Sequence, residues 1–292
     1  MGTSVEHPHG HEAHDHAHDD HAHHEHDHGH GRGLLGRVRE LLAPHSHDAA
    51  DSVDHELESS ERGMERPAIV GNRAVLAGAV LYLLEWVAII PAGDSGPADA
   101  GTSRADVLKL YQDHPKAVLL ITTWCAAVLL GRVLIVTGLR TALRSVGAAT
   151  PLTDLAVAAM TLSVALELLS LVAVGTAQVL AVRGGQDDLV VALDTAAGLA
   201  FLAILPPLGT AVGLSAWSML RSRAFATWIP AVGLVSGALL VLGGVLGGPG
   251  YLESGTLRDL GGVGMIGIPL FWVWMLATGV FLWRRTPGQV EG

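Results

Sequence analysis

A chain of 292 residues that is 50% hydrophobic and only 16% charged falls well below the roughly 25% charge of ordinary soluble domains. Its charge gathers near the front and long apolar runs fill the rest, so the sequence reads as an all-α, multi-pass membrane protein. The formal net charge of −10 argues against a nucleic-acid partner, and a single cysteine, Cys125, excludes both an intrachain disulfide and a cysteine-based zinc site.

The first element, residues 1–31, is a His/Asp-rich tail. His7, His9, His11, His14, His16, His18, His21, His23, His24, His26, His28 and His30 alternate there with Asp, Glu, Ala and Gly. With almost no apolar side chains and no period that buries a core, the tail is expected to be disordered without ligand. Imidazole titrates near pH 6.5, so at neutral pH most of these rings are free to donate to a metal. His-x-His spacing in a flexible chain lets neighbouring rings close on one ion, and Asp15, Asp19, Asp20 and Asp27 add oxygen ligands. A divalent metal ion is therefore the expected ligand, zinc first, with nickel, cobalt or copper as alternatives. An expression tag is the competing reading, although tags are unbroken histidine runs. The polar start predicts no cleavable signal peptide, which leaves insertion to the first membrane helix.

Residues 32–66 are expected to form amphipathic helices and a linker. In Gly33-Leu34-Leu35-Gly36-Arg37-Val38-Arg39-Glu40-Leu41-Leu42 the leucines and Val38 share one helical face beside arginines. That is the pattern of a short basic helix on a membrane surface, or equally of one packed on its own protein. After Pro44, a second, acidic helix places His47, Asp51 and His55 four residues apart on one face, and with His45 these are candidate metal ligands. The His/Asp/Gly-rich lead, Gly-Leu-Leu-Gly-Arg-Val-Arg, Pro-His-Ser-His-Asp-Ala-Ala-Asp-Ser-Val-Asp and Leu-Glu-Ser-Ser-Glu-Arg-Gly-Met together resemble the N-terminal segment of actinobacterial cation diffusion facilitators. The resemblance covers residues 1–64 and implies six-helix export of zinc and related ions. That family's intramembrane site uses His-x-x-x-Asp or Asp-x-x-x-Asp pairs, whereas here the sole histidine beyond His55 is His114, in a loop. The transport site is therefore not carried over, and Met64 is a possible alternative translation start for the membrane part.

Residues 67–285 carry six apolar segments, near 73–91, 115–138, 154–182, 188–220, 226–246 and 262–283, each long enough to cross about 30 Å at 1.5 Å per residue. Residues 286–292 form a short tail. Arg140, Arg144, Arg221, Arg223, Arg284 and Arg285 mark one side and Asp106, Asp113, Asp187, Asp188 and Asp259 the other. By the positive-inside rule both termini are cytoplasmic, in a bacterial inner (plasma) membrane whose lipid is the main partner. Ser103-Arg104-Ala105-Asp106 predicts a capped outer helix. Pro206-Pro207 is expected to kink the fourth segment, and Gly233-x-x-x-Gly237 predicts close packing of the fifth. Leu76-Ala77-Gly78-Ala79-Val80-Leu81-Tyr82, Ser215-Ala216-Trp217-Ser218-Met219-Leu220-Arg221-Ser222 and Trp228-Ile229-Pro230-Ala231-Val232-Gly233 resemble DUF4386-like six-helix bacterial membrane proteins, a likeness that implies fold and no agreed activity.

Ionisable residues within membrane segments mark candidate sites. Glu85, Glu167 and Asp194 each count to roughly 18–20 Å above the arginine-rich side, which predicts one layer. There they either line a polar cavity for a cation or proton or stand as separate neutral acids bonded to neighbouring helices. Arg132, counted close to the arginine-rich surface, is expected to snorkel to water. No nucleophile elbow, phosphate loop, His-Glu-x-x-His or dinucleotide fingerprint is present, so no enzyme activity is expected. The sequence thus points to a membrane protein with a cytosolic metal-binding tail, in metal transport or buffering, or to a structural or accessory six-helix protein with the tail as a fusion.

Overall fold

The computed structural model describes residues 69–92, 97–98, 101–113, 115–251 and 256–285. They belong to a compact unit, Asp54–Gly292. The histidine tail, the amphipathic segments of 32–66 and residues 286–292 lie outside the described residues. So do the metal ligands read there, His7 through His30 with His45, His47, Asp51 and His55.

Every regular element among the described residues is helical. Six are long and apolar enough to cross a membrane: α1 (Ile69–Ile90), α3 (Lys116–Ser145), α4 (Pro151–Arg183), α5 (Asp187–Ser222), α6 (Trp228–Gly250) and α7 (Asp259–Arg284). Between α1 and α3 stands the short α2 (Arg104–Asp113). The chain is thus a multi-pass helical membrane protein. Several helices outrun their apolar stretches, because backbone bonding continues through Arg140 and Arg144 in α3 and through Asp187 and Asp188 in α5. Pro151 opens α4, where a missing N–H costs nothing, and Gly184, at φ 74°, closes it.

Small residues decide how closely the helices approach. A Cβ on Gly78 of α1 would fall 2.5 Å from the Gly131 carbonyl oxygen of α3, and Gly71 meets Gly138 in the same way two turns on. Gly209 of α5 and Gly237 of α6 repeat the arrangement at 2.5 Å. Gly233 makes room for the Trp274 indole of α7 and for Ala216 of α5, so both glycines predicted to pack face α5 and one of them also admits α7. Contact of Gly279 with Leu76 brings α7 back onto α1 and closes the ring of helices. Pro206 and Pro207 do not end α5, which runs through them, and Gly244 of α6 leaves space for the Pro206 ring.

Three spans carry interruptions that hydropathy does not announce. Helix α1 breaks at Leu84, α3 at Leu129 and α7 at Met265 and Ile266. At the first break the Leu84 carbonyl accepts a hydrogen bond from the Trp124 indole at 2.7 Å. At the second, the Arg132 N–H reaches the Leu129 carbonyl at 3.0 Å in a tight turn. The first two breaks flank the charged residues described next.

Candidate functional site

Arg132 sits one turn past the break in α3 and is buried to 1% exposure. Arg140, two turns further along α3, is the residue that reaches the polar zone and pairs with Asp154; Arg132 lies roughly 12 Å deeper. The snorkelling expected for Arg132 is therefore corrected. Its helix continues well past the apolar run of that segment, and a carboxylate on the next helix is within reach. Arg132 Nη2 forms an ion pair with Glu167 Oε2 of α4. Its guanidinium also stands 5.3 Å from the centre of the Tyr82 ring of α1.

Glu85 joins this cluster from α1, immediately after the break at Leu84. It follows by one turn Tyr82, the residue whose ring stands beside the Arg132 guanidinium, and so lies within electrostatic reach of Arg132, whose ion pair is with Glu167. The wall opposite is aromatic: Tyr82 packs on Phe271 at 5.8 Å between centroids, and Trp86 meets Trp272 edge-on at 4.8 Å. The Trp272 indole N–H is buried there without a hydrogen-bond acceptor. One guanidinium thus pairs with Glu167 and has the Glu85 carboxyl within electrostatic reach, in a site walled by apolar helices. Both charged acids together outweigh it by one negative charge, so neutrality there takes one proton or one monovalent cation. Arg132 Nε is buried without a hydrogen-bond acceptor.

Asp194 does not share this cluster. The Ser170 hydroxyl of α4 donates to the Ala197 carbonyl of α5 at 3.0 Å, which sets Asp194 about six residues beyond Glu167 along α4, roughly 9 Å. Its Oδ1 accepts from the Tyr111 hydroxyl at 2.9 Å and from the Ala98 N–H at 3.0 Å. Gln178 Nε2 donates to the Tyr111 carbonyl. These bonds hold α2 against α4 and α5, with Val107 and Tyr111 buried beneath it. Burial, reinforced by the Asp194 carboxylate, lifts the Tyr111 phenol far above its ordinary range, so Tyr111 remains the donor. At its start α2 is capped as predicted, with the Asp106 N–H donating to Ser103 Oγ at 3.3 Å and the Ser103 hydroxyl to Asp106 Oδ2 at 2.6 Å.

Of the three acids read from sequence, the structure therefore pairs Glu167 with Arg132, sets Glu85 within electrostatic reach of the same guanidinium and leaves Asp194 with α2. Tyr82, Tyr111 and Gln178 were not singled out by the sequence. Tyr82 precedes Glu85 by three residues, a spacing that puts both on one helical face, so that signal was present. Among the described residues no group of three or more His, Cys, Asp or Glu side chains is placed to hold a metal ion.

Two probable cation efflux system proteins of Mycobacterium tuberculosis are similar to part of this chain, one from strain CDC 1551 / Oshkosh and one from strain ATCC 25618 / H37Rv. Each is 35% identical over 87 residues, which is 30% of this chain and 23% of the relative. The chain thus spans about a quarter of the length of the curated relatives it matches. No family model matches the chain, and no solved structure does.

Proposed function

We propose that this membrane protein handles divalent cations, zinc first, through its N-terminal tail, and that the six-helix bundle holds the tail at the cytosolic face of a bacterial plasma membrane. The observation that carries the reading is the His/Asp stretch of residues 7–30, whose interleaved imidazoles and carboxylates are a ligand set for borderline metal ions. The partial likeness to two cation efflux proteins supports it. Metal buffering or delivery at the membrane fits better than passage through the bundle. Glu167 is committed to Arg132, Glu85 lies within electrostatic reach of the same guanidinium, and Asp194 is occupied by Tyr111 and Ala98.

The second reading, an accessory six-helix protein without metal chemistry, draws on the same occupied acids. Calorimetric titration of the detergent-solubilised full chain with zinc separates the two. Metal handling predicts several equivalents bound, lost when the histidines from His7 to His30 are replaced by alanine in the whole chain. Equal heats from the two proteins would end the metal reading. Zinc uptake into vesicles carrying the protein then divides buffering, with no flux, from transport.

A further inference from the structure

A groove of about 470 Å³ runs along the outer side of α1, lined by Leu76, Val80, Leu81 and Leu84 and closed at one end by Arg73 and Trp283. It faces the bilayer, since Val80 is 51% and Leu84 38% exposed on a helix that crosses the membrane. From Arg73 to Leu84 is eleven residues, roughly 16 Å along the axis, about half of a 30 Å hydrocarbon core. The groove therefore has the depth of one leaflet.

Its two ends differ in chemistry. At the deep end lies the break at Leu84, whose carbonyl is already taken by Trp124, so the floor is apolar. At the shallow end the Arg73 guanidinium stands 6.0 Å from the centre of the Trp283 ring, and no described carboxylate pairs with it. Arg284 and Arg285 follow Trp283, and the Asn72 amide donates to the Arg285 carbonyl at 3.3 Å, which ties that arginine pair to the start of α1. An apolar trough one leaflet deep thus ends in the Arg73 cation beside an indole at the interface, while the Arg285 guanidinium lies 4.5 Å from the centre of the Phe281 ring.

We propose that this groove binds one anionic phospholipid, an acyl chain lying along Leu76, Val80 and Leu84 and the phosphate meeting Arg73. A lipid supplies both halves of the complement in one molecule. A zwitterionic lipid gains the trough but offsets the phosphate with its own cation.

Native mass spectrometry of the full chain with equal amounts of phosphatidylglycerol and phosphatidylcholine tests the assignment. The unchanged chain retains phosphatidylglycerol preferentially, and Arg73→Gln lowers that preference about fivefold, equivalent to the ~1 kcal/mol of one arginine near an anionic headgroup. Val80→Trp, which fills the trough without touching the charges, lowers retention of both lipids and keeps the test open should Arg73→Gln misfold. Equal retention of the two lipids by the unchanged chain, or an unaltered preference in Arg73→Gln, overturns the proposal. Disulfide capture between two copies through Leu84→Cys would assign the groove to a second chain and overturn it equally.

Discussion

Placing a guanidinium among apolar helices costs several kcal/mol of hydration, recovered only if a carboxylate and further polar contacts meet it. Arg132 has Glu167 as its ion-pair partner and Glu85 within electrostatic reach, and this redundancy has a measurable sign. Glu85→Gln and Glu167→Gln should each lower the thermal midpoint modestly, because the remaining carboxylate is still within reach of the cation. The double variant leaves Arg132 uncompensated and should lose about 3–5 kcal/mol, more than the two single losses together. Strictly additive losses in detergent melts would mean that the two acids do not share Arg132. The Tyr111–Asp194 pair gives a pH dependence instead. The phenol titrates higher in the folded chain than in the unfolded one, so its contribution is complete below about pH 10 and declines as the unfolded state loses its proton above that value. Tyr111→Phe should remove this alkaline slope and loosen α2 by about 1–3 kcal/mol, read as faster amide exchange in residues 104–113 at pH 8. Sequence alone located Glu85, Glu167 and the buried Asp194, because a carboxylate in an apolar run stands out. It could not choose their partners: depth along an axis says nothing about which face a side chain takes, and Asp194 turned out to serve a loop helix.

At the level of helices, backbone approach replaces the hydrophobic drive that lipid cannot supply, so small residues carry the packing. The glycines divide accordingly. A Cβ on Gly237 would come within 2.6 Å of the Gly209 carbonyl oxygen, whereas one on Gly213 would meet nothing within 4 Å. Gly237→Ala should therefore destabilise the chain by about 1–3 kcal/mol through forced separation of α5 and α6. Gly213→Ala should be neutral or gain up to about 1 kcal/mol from reduced backbone freedom in the unfolded chain. Melting the two variants side by side checks the contrast, and similar losses would refute it. The six spans were legible because a run of about twenty apolar residues has few other fates. The breaks at Leu84 and Leu129 were not, since leucine favours helix and a contact at the first break comes from another helix, an indole from α3 bonding the Leu84 carbonyl.

Over the whole bundle, charge separates by end. Arg73, Arg140, Arg144, Arg221, Arg223, Arg284 and Arg285 lie near the termini of helices at one end, and Asp106, Asp113, Asp187, Asp188 and Asp259 at the other. The acidic end also holds Arg104, Lys109, Lys116 and Arg183, and two of the mixed charges pair locally, Asp154 with Arg140 and Arg104 with Asp188 at 2.7 Å. Positively charged short loops resist translocation, so the arginine end is expected in the cytosol. The single cysteine makes this accessible to test, because Cys125 is buried at 2% exposure and Cys125→Ala gives a thiol-free background. In intact cells a membrane-impermeant maleimide should label Lys109→Cys on exposed α2 directly, and Ser145→Cys at the end of α3 only after permeabilisation. The reverse pattern would place the end that begins α1 outside the cell. It would carry the histidine tail with it, and cytosolic metal handling would then have to be abandoned in favour of capture from the exterior.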